Sequence, residues 1–172
     1  IKEGLDQGAF GFSLGLMYPP GLFSPTKDLE KLAQVVAAKD RILTVHNRAL
    51  SRYSGAYPII PFFSRAHNLR ALEEVLTIGI NTGVKIQISH FIFVGRKSWP
   101  TVHKALQMIE KAQAKGLRIM MDIYPHFCGN SYLTVFLPAW FTEDLERHLE
   151  DPRAVKRLKL ELNMAKFLWG LI

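Results

Sequence analysis

Two histidines stand where metal chemistry could be done. His46 follows the short, β-branched-rich run Ile42-Leu43-Thr44-Val45, and His90 follows the alternating stretch Val84-Lys85-Ile86-Gln87-Ile88-Ser89. The first run is too short for a helix and the second has a period of two, so both read as strands that end in a histidine. The C-terminal ends of parallel strands are the face on which barrel enzymes assemble their chemistry. Neutral imidazoles there can share one zinc ion, which would act as a Lewis acid on an amide carbonyl and lower the pKa of bound water to about 7. The spacing by itself also suits two ordinary hydrogen-bonded histidines at strand ends.

The elements that must position this pair alternate along the chain. Residues 10–16 form a short apolar run ended by Tyr18-Pro19-Pro20-Gly21, a strand followed by turn chemistry. Ser24-Pro25 has the form of an N-cap with proline at the first helical position, and Leu29, Leu32, Ala33, Val36 and Ala37 predict a helix to about Lys39. The irregular stretch 47–64, with Pro58 and Pro61, has a length that more often serves a function than none. Ala71, Leu72, Val75, Leu76 and Ile78 predict the next helix, closed by Asn81-Thr82-Gly83. Pro100 opens another through Val102, Ala105, Leu106, Ile109 and Ala112, Gly116 stops it, and residues 117–123 read as a further strand. A loop over 124–138 leads to one or two helices from Thr142 onward. This alternation means βαβ units and a parallel sheet, either open and doubly wound or part of an eight-fold barrel. About four units are legible, whereas a closed barrel needs eight and about 250 residues. The expected fold class is α/β, with parallel βα units over 1–172 as one partial domain.

Composition narrows the function further. The 172 residues are 48% hydrophobic and 22% charged, as one folded domain requires. No run reaches the roughly 18 apolar residues of a membrane span, which predicts a soluble protein with no membrane partner. The chain has no basic and apolar leader, which argues for the cytoplasm, and it starts at Ile1, which argues for a missing N-terminus. Cys128 is the single cysteine, so no intramolecular disulfide forms; it reads as a small apolar filler. The net charge of +7 raises the question of nucleic acid, but the 22 Lys and Arg are scattered. Their densest group, Arg153, Lys156, Arg157, Lys159 and Lys166, lies among Glu150, Asp151 and Glu161 and reads as a solvated helix face, so no nucleic-acid partner is expected. His67, His103 and His148 fall in helical stretches and read as surface residues. No G-x-G-x-x-G, G-K-[ST] or G-x-S-x-G pattern occurs, which leaves nucleotide chemistry and a serine nucleophile unsupported.

One stretch has a specific likeness. Gly8-Ala9-Phe10-Gly11-Phe12-Ser13-Leu14-Gly15-Leu16-Met17-Tyr18-Pro19-Pro20-Gly21 resembles the GAFGLSTGLIYPPG segment of the D-aminoacylases. Thr44-Val45-His46-Asn47-Arg48 then resembles that family's T-H-x-R strand end, with one residue's difference in spacing, and residues 84–90 are similar to its V-x-I-S-H strand. Gly95 and Trp99 resemble its loop glycine and tryptophan, Asp122-Ile123-Tyr124-Pro125 its DVYPY, and Leu137-Pro138-Ala139-Trp140 its LPPW. Over about residues 3–158 the chain thus resembles the N-acyl-D-amino-acid deacylases of the amidohydrolase superfamily. The resemblance implies a zinc-dependent (β/α)8 barrel that hydrolyses the amide of a small acylated amino acid. It implies His46 and His90 as metal ligands, and Tyr18, Arg48, Tyr124 and Ser131 as substrate-binding residues. It also places a catalytic aspartate beyond residue 172, and an H-x-H pair and a metal-binding cysteine before Ile1. The expectation is therefore an internal fragment, without a catalytic residue of its own and inactive alone.

Departures from the pattern matter as well. The family's substrate-carboxylate lysine corresponds to Ile92, a tyrosine to His126, and its Ser-Thr pair to Asn130-Ser131. A cyclic-amide hydrolase of the dihydroorotase and hydantoinase type, or a non-catalytic barrel fragment, therefore remain alternatives. Half a barrel leaves open strand edges, which points to self-association. The apolar segment 162–172 is either a packing helix or an exposed end.

Overall fold

The computed structural model describes residues 1–58 and 65–169, the last five of these as backbone alone. Four strands, β1 (Gly11–Gly15), β2 (Ile42–His46), β3 (Lys85–Ser89) and β4 (Ile119–Met121), form one parallel sheet in sequence order. The crossovers are α2 (Thr26–Ala37), α3 (His67–Thr82) and α4 (Val102–Ala114). A short helix that the sequence reading did not anticipate, α1 (Lys2–Asp6), precedes β1, and α5 (Ala139–Thr142), α6 (Leu145–Glu150) and α7 (Pro152–Trp169) follow β4. A doubly wound sheet reverses its strand order at a switch point. Here order never reverses and α2, α3 and α4 pack side by side, which is barrel geometry.

Side chains alternate across the sheet. Leu43, Val45, Ile86 and Ile88 are fully buried and meet Leu29, Ala33 and Val36 of α2, Leu72, Val75 and Leu76 of α3, and Ala105 and Ile109 of α4 in one cluster. Gly79 brings α3 close to the sheet: a Cβ there would stand 2.6 Å from Leu117 Cδ1 and 3.1 Å from Ile86 Cγ1. The opposite face presents Ser13, Thr44 and Gln87, whose registers match across the strands. Gly83 and Gly116, with φ of 71° and 90°, turn the chain after α3 and α4 as expected.

Several expectations shift. The helix after β1 begins at Thr26; Pro25, extended at φ −65° and ψ 143°, takes the cap position, and no side chain caps the helix. Ser24 instead offers its carbonyl to Arg48. Residues 96–101 wind as a 3-10 turn around Pro100 before α4, and β4 is shorter than the predicted 117–123. His67 is buried at 2% exposure, not on the surface, because residues 51–54 fold over the start of α3: the His67 and Asn68 N–H groups donate to Arg52 and Ser51 carbonyls. His148 is half-buried, stacked on Phe141 at 5.6 Å, while His103 is exposed as expected. The end of the 47–64 stretch, 59–64, lies outside the described residues, as do 170–172 and the side chains that would decide between the two readings of the closing segment. Among the described residues no strand pairs with the outer edge of β1 or β4, and no helix is long and apolar enough to cross a membrane.

Candidate functional site

The C-terminal ends of the four strands open into a cavity of about 560 Å³. Its lining includes Tyr18, His46, Arg48, His90, Tyr124 and Ser131, so all of the predicted site residues converge there from separate parts of the chain.

His46 reaches it by simple alternation. Leu43 and Val45 point to the helices, so His46 faces inward, in register with Gly15 on one side and Ser89 on the other. Its Nδ1–H donates to the Asn47 carbonyl at 3.2 Å, and burial pushes its pKa below the usual histidine value. The ring is neutral near pH 7, and the carbonyl, an acceptor only, keeps the proton on Nδ1 and leaves the Nε2 lone pair free.

His90 reaches the cavity against alternation. Ile86 and Ile88 point to the helices, and two residues on His90 should follow them. Its backbone instead turns into the left-handed region at φ 59°, and the ring swings back toward His46. The two rings stand 5.6 Å apart at 81°. Imidazoles sharing a zinc at Zn–N of about 2.0–2.1 Å have ring centres roughly 5–5.5 Å apart, so the observed spacing fits two nitrogen ligands of one ion. Among the described residues no cluster of three or more His, Cys, Asp or Glu completes a metal site, so the pair fits as part of a centre and not as a whole one.

Tyrosines flank the pair. The Tyr18 ring lies 5.2 Å from His46, and Tyr124 lies 5.6 Å from His90 and stacks on His126 at 6.2 Å. Ile92 lines the same cavity, so the departure from lysine falls inside it. Cys128 is exposed on the cavity wall, which corrects the reading of it as a small apolar filler: the segment after β4 lines the cavity rather than the core.

Arg48 is tied into the fold. Its guanidinium is buried and bidentate on Glu74, at 2.9 Å and 3.0 Å, and it donates further to the carbonyls of Gly21, Leu22 and Ser24. Those bonds make it the tie between α3 and the loop that carries Tyr18, and from that tie it lines the cavity.

Sequence reasoning missed Asp122. It follows β4 directly, and its carboxylate accepts the His90 backbone N–H at 2.9 Å and the Gln87 side-chain N–H at 2.9 Å. That His90 N–H is the chief cause holding the Asp122 carboxyl below the ordinary aspartate range. An acid at a strand end, in the same layer as His46, was the available signal.

No protein-family model matches the chain. Among curated proteins it is 32% identical over 138 residues to an N-acyl-D-glutamate deacylase of Alcaligenes xylosoxydans xylosoxydans, covering 80% of the chain and 25% of that protein. It is 27% identical over 132 residues to a D-aminoacylase of the same organism, covering 77% of the chain and 24% of the relative. The crystal structure of the Bordetella bronchiseptica N-acyl-D-glutamate deacylase, complexed with zinc and a phosphonate mimic of the tetrahedral intermediate, superposes with a TM-score of 0.63 at 33% identity, over 73% of the chain and 23% of that structure. An L-hydantoinase from Arthrobacter aurescens superposes with a TM-score of 0.51 at 18% identity over 86% of the chain and 32% of the hydantoinase, a likeness of fold alone. The chain spans about a quarter of the length of the curated relatives it matches. Sequence and backbone together place it with the N-acyl-D-amino-acid deacylases of the amidohydrolase superfamily, as a segment of their barrel.

Proposed function

We propose that this chain supplies two zinc ligands and part of the substrate wall of a (β/α)8 amide hydrolase acting on N-acyl-D-amino acids. The observation that carries the reading is the facing pair His46 and His90, 5.6 Å apart at the strand ends and flanked by Tyr18 and Tyr124. Each histidine would bind through Nε2. Zinc bound there would polarise an acyl carbonyl and provide hydroxide near neutral pH. Tyr18 and Tyr124 present aromatic faces and hydroxyls to an acylated amino acid, and Ser131 adds a donor at the wall. Their role is to hold the scissile amide and exclude water around it. The remaining ligands and the proton-moving group belong to the other parts of a complete barrel, so the 172-residue chain alone would bind metal weakly and turn over nothing.

The test is equilibrium dialysis against zinc, read as metal per chain by mass spectrometry, for the protein and for the His46→Ala/His90→Ala variant. Bound zinc that the variant loses supports the reading. Equal content in both overturns it and leaves a barrel fragment without a metal role. Ile92 in the cavity favours one second reading, a cyclic-amide substrate without a free α-carboxylate. Turnover of hydantoins, but not of N-acyl-D-amino acids, by a complete barrel containing this segment would select it.

A further inference from the structure

We infer that Asp122 is the positioning residue for His90: its Oδ1 sets both the reversed backbone and the ring tautomer that present Nε2 to the cavity. This rests on the proposed metal role for its purpose, though the geometry stands without a metal.

His90 occupies a position that the pleat assigns to the helix side of the sheet, and its φ of 59° lies in a region that residues with a Cβ adopt uncommonly. The bonds that hold it converge on Asp122. Asp122 Oδ1 accepts the His90 backbone N–H at 2.9 Å. The Asp122 carbonyl accepts the Phe91 N–H at 2.8 Å, and the Asp122 N–H donates to the Ile88 carbonyl at 3.1 Å, so residues on both sides of His90 are tied to one aspartate. The carboxylate is itself oriented, because Oδ2 accepts from Gln87 Nε2 at 2.9 Å on the inner face of β3.

The same oxygen that takes the backbone N–H lies 3.5 Å from His90 Nδ1. That is an electrostatic contact rather than a full hydrogen bond. It faces one ring nitrogen and not the other, so a neutral His90 carries its proton on Nδ1 and exposes the Nε2 lone pair. Carboxylates that fix metal-binding histidines in this way are a general device. His46 reaches the same tautomer by a different partner, the Asn47 carbonyl. Two strands thus deliver matching lone pairs by unlike means, one by regular alternation with a backbone acceptor and one by a turned residue with a carboxylate.

The test reads the tautomer directly, by long-range 1H–15N correlation at pH 8 on the metal-free chain labelled at histidine nitrogens. Wild type should show Nδ1–H at His90. Asp122→Ala should move His90 to mainly Nε2–H, the form water favours, and leave His46 unchanged as an internal control. Asp122→Asn retains an acceptor of the same shape and should restore part of the Nδ1–H population; being near-isosteric, it also serves if the alanine variant does not fold. Nε2–H at wild-type His90, or an unaltered tautomer in both variants, overturns the proposal. A separate zinc titration should show affinity about 10-fold or more weaker in Asp122→Asn, the scale of loss when such a carboxylate is altered. Correct tautomers without zinc binding in wild type would sink the metal reading and leave the positioning role of Asp122 standing.

Discussion

Replacing Arg48 by alanine should loosen the fold before it affects any ligand. The Arg48 and Glu74 side chains are 7% and 11% exposed, and the guanidinium bonds to both carboxylate oxygens and to three carbonyls of the 21–24 segment. Removing one partner of such a buried pair leaves the other charge without compensation, at about 3–5 kcal/mol. A domain of ordinary stability has roughly 5–15 kcal/mol in hand. With a urea slope of about 2–3 kcal/mol per molar for a chain of this size, the midpoint should fall by about 1–2.5 M. Urea unfolding followed by circular dichroism on Arg48→Ala, Glu74→Ala and the double variant measures this. The double variant leaves no unpaired buried charge, so it should cost less than the sum of the singles, with a coupling of about 2 kcal/mol. Arg48→Lys, which keeps the charge and loses the planar fork, should fall between wild type and alanine. An Arg48→Ala stability within about 1 kcal/mol of wild type would refute this reasoning.

Two further outcomes follow from burial and from the open sheet. Burial pushes the His67 pKa below 6.5, and its Nδ1 accepts the Ser54 N–H at 2.9 Å, a bond that protonation abolishes. Folded His67 therefore binds fewer protons than the unfolded chain does, so its contribution to stability is present above about pH 6.5 and is lost as pH falls through the lower folded value. The urea midpoint should drop more between pH 7.5 and pH 5 in wild type than in His67→Gln, and parallel pH slopes would show that the ring does not titrate as argued. The outer edges of β1 and β4 have no strand partner among the described residues, and Phe10 and Ile123 beside them are 81% and 70% exposed. The 172-residue chain alone should self-associate, so sedimentation equilibrium at micromolar concentration should return a mass above the monomer, and a compact monomer would count against it.

Much of the fold was legible because its elements are locally consistent. Helical spacing in α2, α3 and α4 and the alternation of β3 are properties of neighbouring residues, and glycines at 83 and 116 stop helices wherever they occur. The errors came where a distant segment decides. His67 looked like a surface residue because it falls in a helical stretch, and the 51–54 segment folding back over it removes it from water. Ser24 looked like a helix cap, and Arg48 takes its carbonyl from across the fold. Cys128 looked like a small apolar filler, but it is exposed on the cavity wall.

The sequence by itself determined the parallel α/β class, the histidines at two strand ends and the tyrosines that follow β1 and β4, because strand ends and turn residues are encoded locally. Only the tertiary structure decided what those residues meet. Periodicity sends His90 to the helix side, and no count of alternating residues reveals that Asp122, 32 positions later, captures its N–H and turns it inward. Arg48 is likewise two residues past a candidate ligand in sequence, and only the fold reveals that Glu74 fixes its guanidinium at the cavity wall. Hydrogen bonds between segments joined only by the sheet set these orientations, and their energies depend on distances that the order of residues does not contain.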